Sequence, residues 1–322
     1  MKTIYIKYTR FLLPLLFLFA AIGCENQPTE VSDYTPEPML HAYLSTGELF
    51  NEIKLEWVDK NIGGVYSPEA NGITGAEIQI YPLRDDYGTV IDSAGKVVRY
   101  TDKAGRAGAY VTNSTQLVQP LTWYRLIAIK SGVLELTAET MTPDTFDLYF
   151  SDPALQAVTD VRPADSLHLP IQYPRYNREM NLVDISWSDA WRNINYNSRP
   201  RGGYLFGQMC LVAPDSLIPL DPDWDPNDPD DELTEEQRNE RAGMMFVTDY
   251  QRSLSLFWGF FTFSGPHRLD AMAVSYEYYR YLFSTWNSDG TERPESNVHG
   301  GLGCFGAYTR HYVFLEMVRV TR

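Results

Sequence analysis

In Ile53-Lys54-Leu55-Glu56-Trp57 every second residue is apolar, and that period of two most narrows what the chain can fold into. A strand turns successive side chains to opposite faces, so such a run packs on one side and meets water on the other. A helix would scatter the same apolar residues around its axis. Comparable runs recur at Leu40 to Leu44, Ala76 to Tyr81, Val97 to Thr101 and Trp123 to Thr140. The last is broken at Ser131-Gly132, which reads as a hairpin turn. Several short strands with no helical pattern between them predict a β-sandwich of immunoglobulin or fibronectin type over residues 39–143, closed by Met141-Thr142-Pro143.

A second unit, 144–322, begins again with strands at Leu167 to Gln172, Leu182 to Trp187 and Gly203 to Val212. An acidic insert at 221–242 then carries DPDWDPNDPDDE and LTEEQRNERA, where Thr234 and Gln237 stand three apart as a capping box opening a short helix. Leu254 to Phe263 is too short to cross a membrane as a helix and reads as a buried strand. His267 to Val274 alternates, and Ser275 caps SYEYYRYLFS, whose Tyr276, Tyr279 and Phe283 share one helical face. A glycine-rich loop, HGGLGCFGAY, precedes a closing strand at Tyr312 to Val320. The expected fold class is therefore mostly β: two β-sandwich-like domains, with one or two short helices in the second.

The first 23 residues join a basic start (Lys2, Lys7, Arg10) to an apolar stretch from Phe11 to Ile22, the plan of an export signal. Its apolar core is about a dozen residues, against about 20 for a membrane span. Ala21-Ile22-Gly23-Cys24 then reads as a lipobox, in which Cys24 receives lipid and becomes the N-terminus. The alternative is a plain secretory signal with an incidental cysteine. Diacylation plus N-acylation exceeds the two chains that stable anchoring needs. Glu25, and not Asp, follows the cysteine, so the expected location is the outer membrane. Residues 24–38 are polar and Pro-bearing, a lipidated tether.

Removing the signal leaves about 300 residues, a size at which one core usually gives way to two domains. The whole chain carries 27 Lys plus Arg against 42 Asp plus Glu, a net charge of −15. Such a field repels nucleic acid and anionic lipid surfaces, so neither is an expected partner. Beyond Cys24 only Cys210 and Cys304 remain, in a compartment that permits disulfides; a Cys210–Cys304 bridge and two buried thiols both fit the count.

The lipobox, the ITGAEIQIY strand, the hairpin ending in TAETMTP, the YEYYRYL helix and the SNVHGGLGCFGAY segment together resemble the Bacteroidota lipoproteins of domain-of-unknown-function family 4249. The similarity spans nearly all of the chain beyond the signal. Its most specific pieces are Tyr278 to Leu282, Ser296-Asn297, and Gly300-Gly301-Leu302-Gly303 with Phe305-Gly306. Cys304 and the Asp-Pro insert depart from the family pattern. The resemblance implies a cell-envelope lipoprotein found beside nutrient-uptake receptors, and transfers no catalytic residue.

Nucleophilic catalysis needs a serine or cysteine held by a base and an orienting acid. The chain has no G-x-S-x-G elbow, and none of its five histidines sits in an H-E-x-x-H helix, so neither a serine hydrolase nor a zinc hydrolase is signalled. Asp221, Asp223, Asp225 and Glu232 occupy positions 1, 3, 5 and 12 of a calcium-loop window, but position 6 is Pro226 where glycine is required. Calcium is the one cofactor this pattern raises, against a solvated acidic loop. Trp224, Trp258, Trp286 and the tyrosine helix could form an aromatic platform for sugar rings or a partner surface, against core packing as the default; Trp224, stranded among Asp and Pro, is the one best placed for binding. The glycines at 300–306 precede a strand rather than a helix, which favours close backbone approach over a phosphate cradle. The expected function is a non-catalytic binding or accessory subunit with a glycan or peptide ligand or an outer-membrane receptor partner. A structural or adhesive surface protein is the rival, and a hydrolase the third reading.

Overall fold

The computed structural model describes residues 36–58, 71–151, 175–177, 182–191, 202–221, 223–228, 231–235, 237, 242–247, 252–287 and 293–319. The export signal, Cys24, most of the tether and the strand expected at Leu167 to Gln172 lie outside them. The first half supplies β1 (Pro38–Ser45), β2 (Ile53–Trp57), β3 (Glu77–Asp85), β4 (Val98–Asp102), β5 (Ala109–Val111), β6 (Thr122–Lys130) and β7 (Leu134–Met141). The second supplies β8 (Leu148–Phe150), β9 (Arg175–Asn177), β10 (Leu182–Trp187), β11 (Gly203–Cys210), β12 (Ala242–Val247), β13 (Ser253–Phe257), β14 (Gly265–Val274) and β15 (Leu302–Val318). Among the described residues the α-helix of any length is α1 (Tyr276–Asn287). The chain is mostly β, as its alternation requires.

Twelve strands share one sheet, ordered β12-β11-β14-β15-β1-β2-β5-β4-β3-β6-β7, with β9 joined to β15 off that path. The sheet folds over at β4. Val98 and Tyr100 pair with β3, whereas Thr101 and Asp102 pair with β5, so one strand serves two layers. Inward residues of both layers then meet: Leu40, Leu44, Ile53 and Leu55 pack with Ile78, Ile80, Leu126, Ala128 and Leu136. Each such Leu or Ile, exposed by 1% or less, contributes about 2 kcal/mol by leaving water. A second sheet, β13-β10-β8, covers the other end. There Phe150, Ile185, Trp187 and Leu256 share a core with Tyr204, Phe206, Leu269, Ala271, Val313 and Leu315.

Two hydrophobic cores part near residue 140, and β15 runs through both. Its first residues pair in parallel with β1, from Met39 opposite Leu302 to Ser45 opposite Tyr308. From Tyr308 onward its register with β14 carries it into the second core, as far as Met317 opposite Gly265. Phe305 and Ala307 belong to the first core, and Val313, Leu315 and Met317 to the second. The units expected at 39–143 and 144–322 thus share a strand.

The segment expected to be a glycine-rich loop is strand from Leu302. Gly303 has φ of 108°, and a Cβ there would stand 2.0 Å from the Leu40 carbonyl oxygen. Gly306 lies under α1, where a Cβ would meet Tyr278 Cβ at 2.7 Å. Close approach of β1 and of the helix explains these glycines. Ser275 caps α1 as expected, its Oγ accepting from Tyr278 N at 3.3 Å. Leu254 to Phe263 is not one strand: β13 ends at Phe257 and a 3-10 turn, Trp258–Phe260, follows.

Candidate functional site

The acidic insert is rooted before it becomes polar. Leu220 N donates to Thr262 O at 3.0 Å, and Ser264 N to Ile218 O at 2.7 Å. Leu220 and Phe261 are buried in the second core, while Leu217 and Phe263 pack with Cys210. Above this root opens a cleft of about 590 Å³, within the usual range for ligand sites. Asp221, Trp224, Asp231, Glu232, Thr234 and Phe261 line it. Three residues singled out from sequence, Asp221, Trp224 and Glu232, therefore meet at one cleft.

Trp224 is half-buried rather than stranded. Its Nε1 donates to the Asp231 carbonyl at 2.7 Å, and the Arg319 guanidinium lies 5.5 Å from the ring centroid. Arg319 also donates to the Trp224 carbonyl. Thr234 and Gln237 form the expected capping box: Gln237 N donates to Thr234 Oγ1 at 3.1 Å, and Thr234 N to Gln237 Oε1 at 2.9 Å. The indole, Thr234 and Gln237 are thereby held in place by contacts within the chain.

Two of the four calcium-spaced carboxylates, Asp221 and Asp225, turn onto their own backbone. Asp221 Oδ1 accepts from Asp223 N at 3.0 Å; Asp225 Oδ1 accepts from Asn227 N at 2.9 Å and Nδ2 at 3.0 Å. Those Asn227 hydrogen bonds hold the Asp225 carboxyl below its ordinary range. Each pattern is an Asx turn. Among the described residues, no three carboxylate, imidazole or thiol groups converge as a metal ion would require. Pro226 fixes φ where a calcium loop needs glycine, and the chain makes successive tight turns there instead.

Cys210 and Cys304 do not form a disulfide, and both thiols are buried. Register explains why the two buried thiols, and not the bridge, are found. Cys210 stands opposite His267 on β14, and His267 opposite Leu315 on β15. Leu315 is eleven residues along the strand from Cys304, about 36 Å, whereas a disulfide needs Cα atoms within about 7 Å.

One gathering of reactive residue types was invisible to sequence reasoning. His41 and Tyr43 on β1, Cys304 on β15, and Glu277, Tyr278 and Tyr281 on α1 pack together. His41 Nδ1 lies 3.2 Å from Tyr43 Oη, its ring meets Tyr281 edge-on at 5.8 Å, and Cys304 Sγ donates to the Glu277 carbonyl at 4.0 Å. Cysteine, histidine and glutamate in proximity suggest a nucleophile, yet the electrostatics run the other way. Burial, aided by Glu277, pushes the Cys304 thiol far up, and burial lowers His41. An activated cysteine needs the reverse. These residues cement α1 onto β1 and β15.

Two sandwiches sharing a strand, with a tryptophan-lined cleft on the second, define the chain as a mostly β protein. No family model matches it, and no curated protein matches it. Among solved structures it is similar to the FN1–FN3 domains of chicken CNTN1, at 12% identity over 75% of this chain, with a TM-score of 0.22. The match spans 62% of that chain's length.

Proposed function

We propose that this chain is a lipid-anchored outer-membrane protein of the resembled Bacteroidota lipoprotein family, acting as a non-catalytic binding or accessory subunit beside a nutrient-uptake receptor. Its ligand is a glycan held in the Trp224 cleft. The observation that carries the reading is the fixed indole beside Asp221, Glu232 and Thr234. An aromatic face with carboxylate and hydroxyl groups around it suits the apolar face and the hydroxyls of a sugar ring. The Cys304 cluster supports no cysteine nucleophile, because burial raises its thiol.

Titration of the protein with a panel of neutral oligosaccharides tests the ligand. Binding by at least one member, reduced about thirtyfold in Trp224→Ala as at an interface hot spot, is expected. Binding of basic peptides alone would replace the glycan by a peptide; binding of neither would overturn the cleft as a site. Affinity purification from native membranes in gentle detergent tests the partner, and recovery of this chain alone would count against docking on a receptor.

A further inference from the structure

We propose that a second site, at the loop end of the first sandwich, binds a small monocarboxylate with an apolar tail, its carboxylate on Lys96 and its tail between Phe50 and Leu117. A pocket of about 380 Å³ opens there between the segments after β1, after β3 and before β6. Phe50, Pro82, Ile91, Leu117 and Tyr124 form its apolar walls. Leu117 is 50% exposed, and Leu49, 53% exposed, is bridged to it through the backbone, so apolar surface continues beside the pocket. Apolar side chains clustered around a concavity mark a site that gains by being filled.

Charge selects the occupant. The chain carries −15 overall, yet no Asp or Glu lines this pocket, and Lys96 is the one charged residue that does. Lys96 is in none of the ion pairs formed among the described residues. The other polar side chains that line the pocket carry no charge and bond within the chain, Gln116 Nε2 to Gly95 O at 3.4 Å among them. Gln119 Nε2 donates to Leu117 O at 3.0 Å, Tyr124 Oη accepts from Gln119 N at 2.9 Å, and Thr122 Oγ1 donates to Pro120 O at 2.8 Å. One ammonium above apolar walls matches a single negative charge on a hydrocarbon tail. It lacks the donor fork that a phosphate would use.

Ligand-observed NMR on the full-length protein in nonionic detergent, against an identical detergent blank, tests this with hexanoate, hexanamide and hexylammonium. Hexanoate is expected to bind more tightly than hexanamide, and hexylammonium not at all. Lys96→Gln should weaken hexanoate about fivefold, the scale of a partly exposed ion pair, and leave hexanamide unchanged. Leu117→Asp, at an exposed position that does not threaten folding, should abolish both. The proposal is overturned if hexanoate does not bind, if hexanamide binds equally well, or if either variant keeps wild-type affinity. None of these outcomes touches the Trp224 cleft, so the two sites succeed or fail separately.

Discussion

His267 shows what burial does to a single residue. Its ring is 0% exposed, Nδ1 lies 2.9 Å from the Gly265 carbonyl and so donates to it, and Nε2 meets no hydrogen-bond partner among the described residues. Loss of water pushes its pKa down from 6.5 to about 4. An unfolded chain takes up this proton at a higher pH than the folded one, so the neutral ring's contribution is complete above about 6.5 and is lost as pH falls towards 4. The total is roughly 3 kcal/mol. Melting temperature measured from pH 7 to pH 4.5 should therefore fall more steeply in the wild type than in His267→Leu, and parallel curves would refute the assignment. Glu277 has the opposite sign. Burial raises its carboxyl, so the ionised form costs stability as pH rises through the shifted value. Glu277→Gln should raise the melting temperature at pH 8 relative to wild type, with a smaller gain at pH 4. At Asp225 and its neighbours, millimolar calcium against EDTA should leave the melting temperature unchanged, because Asp221 and Asp225 are turned onto their own backbone.

Among the elements, β15 depends on contacts that its own residues do not announce. Asn297 Nδ2 donates to Glu139 O at 2.9 Å and to Phe305 O at 2.8 Å, while its Oδ1 accepts from Phe305 N at 2.9 Å. One side chain thus stitches β7 to β15 where the first sandwich closes. Asn297→Ala should cost about 2 kcal/mol or more, since it leaves backbone groups without partners. Gly303→Ala should cost about 3 kcal/mol or more, because the new methyl meets the Leu40 carbonyl at a φ that alanine resists. Urea denaturation of both variants measures these losses. Much of this was legible beforehand. Alternation marked Ile53 to Trp57, Ser131-Gly132 marked the β6–β7 turn, and Ser275 marked the start of α1. The beginning of β15 was hidden because glycines imposed by β1 and α1 erase the alternation. Trp224 stood out as an aromatic with no core pattern around it, but Phe261 and Thr262, which complete its cleft, carry no sequence trace of the bonds to Leu220. The distance between Cys210 and Cys304 was equally hidden, since register is set by pairing and not by local residue type.

For the molecule as a whole, the lipid anchor proposed at Cys24 would decide location. Cys24→Ala should release the protein from the membrane fraction, and retention after a salt wash would place the anchor elsewhere. The chain enters the fold at the start of β1, opposite the first residue of β15, and the 17 residues of β15 lead to Arg319 over Trp224. That is about 55 Å along one strand. A pull applied to the N-terminal end of β1 and the C-terminal end of β15 loads the paired residues from Met39 opposite Leu302 to Ser45 opposite Tyr308. Because the two strands run parallel, pulling them from opposite ends slides one along the other instead of peeling them open. Every hydrogen bond of that ladder then shares the load at once, and the joint between β1 and β15 resists tension along its own length.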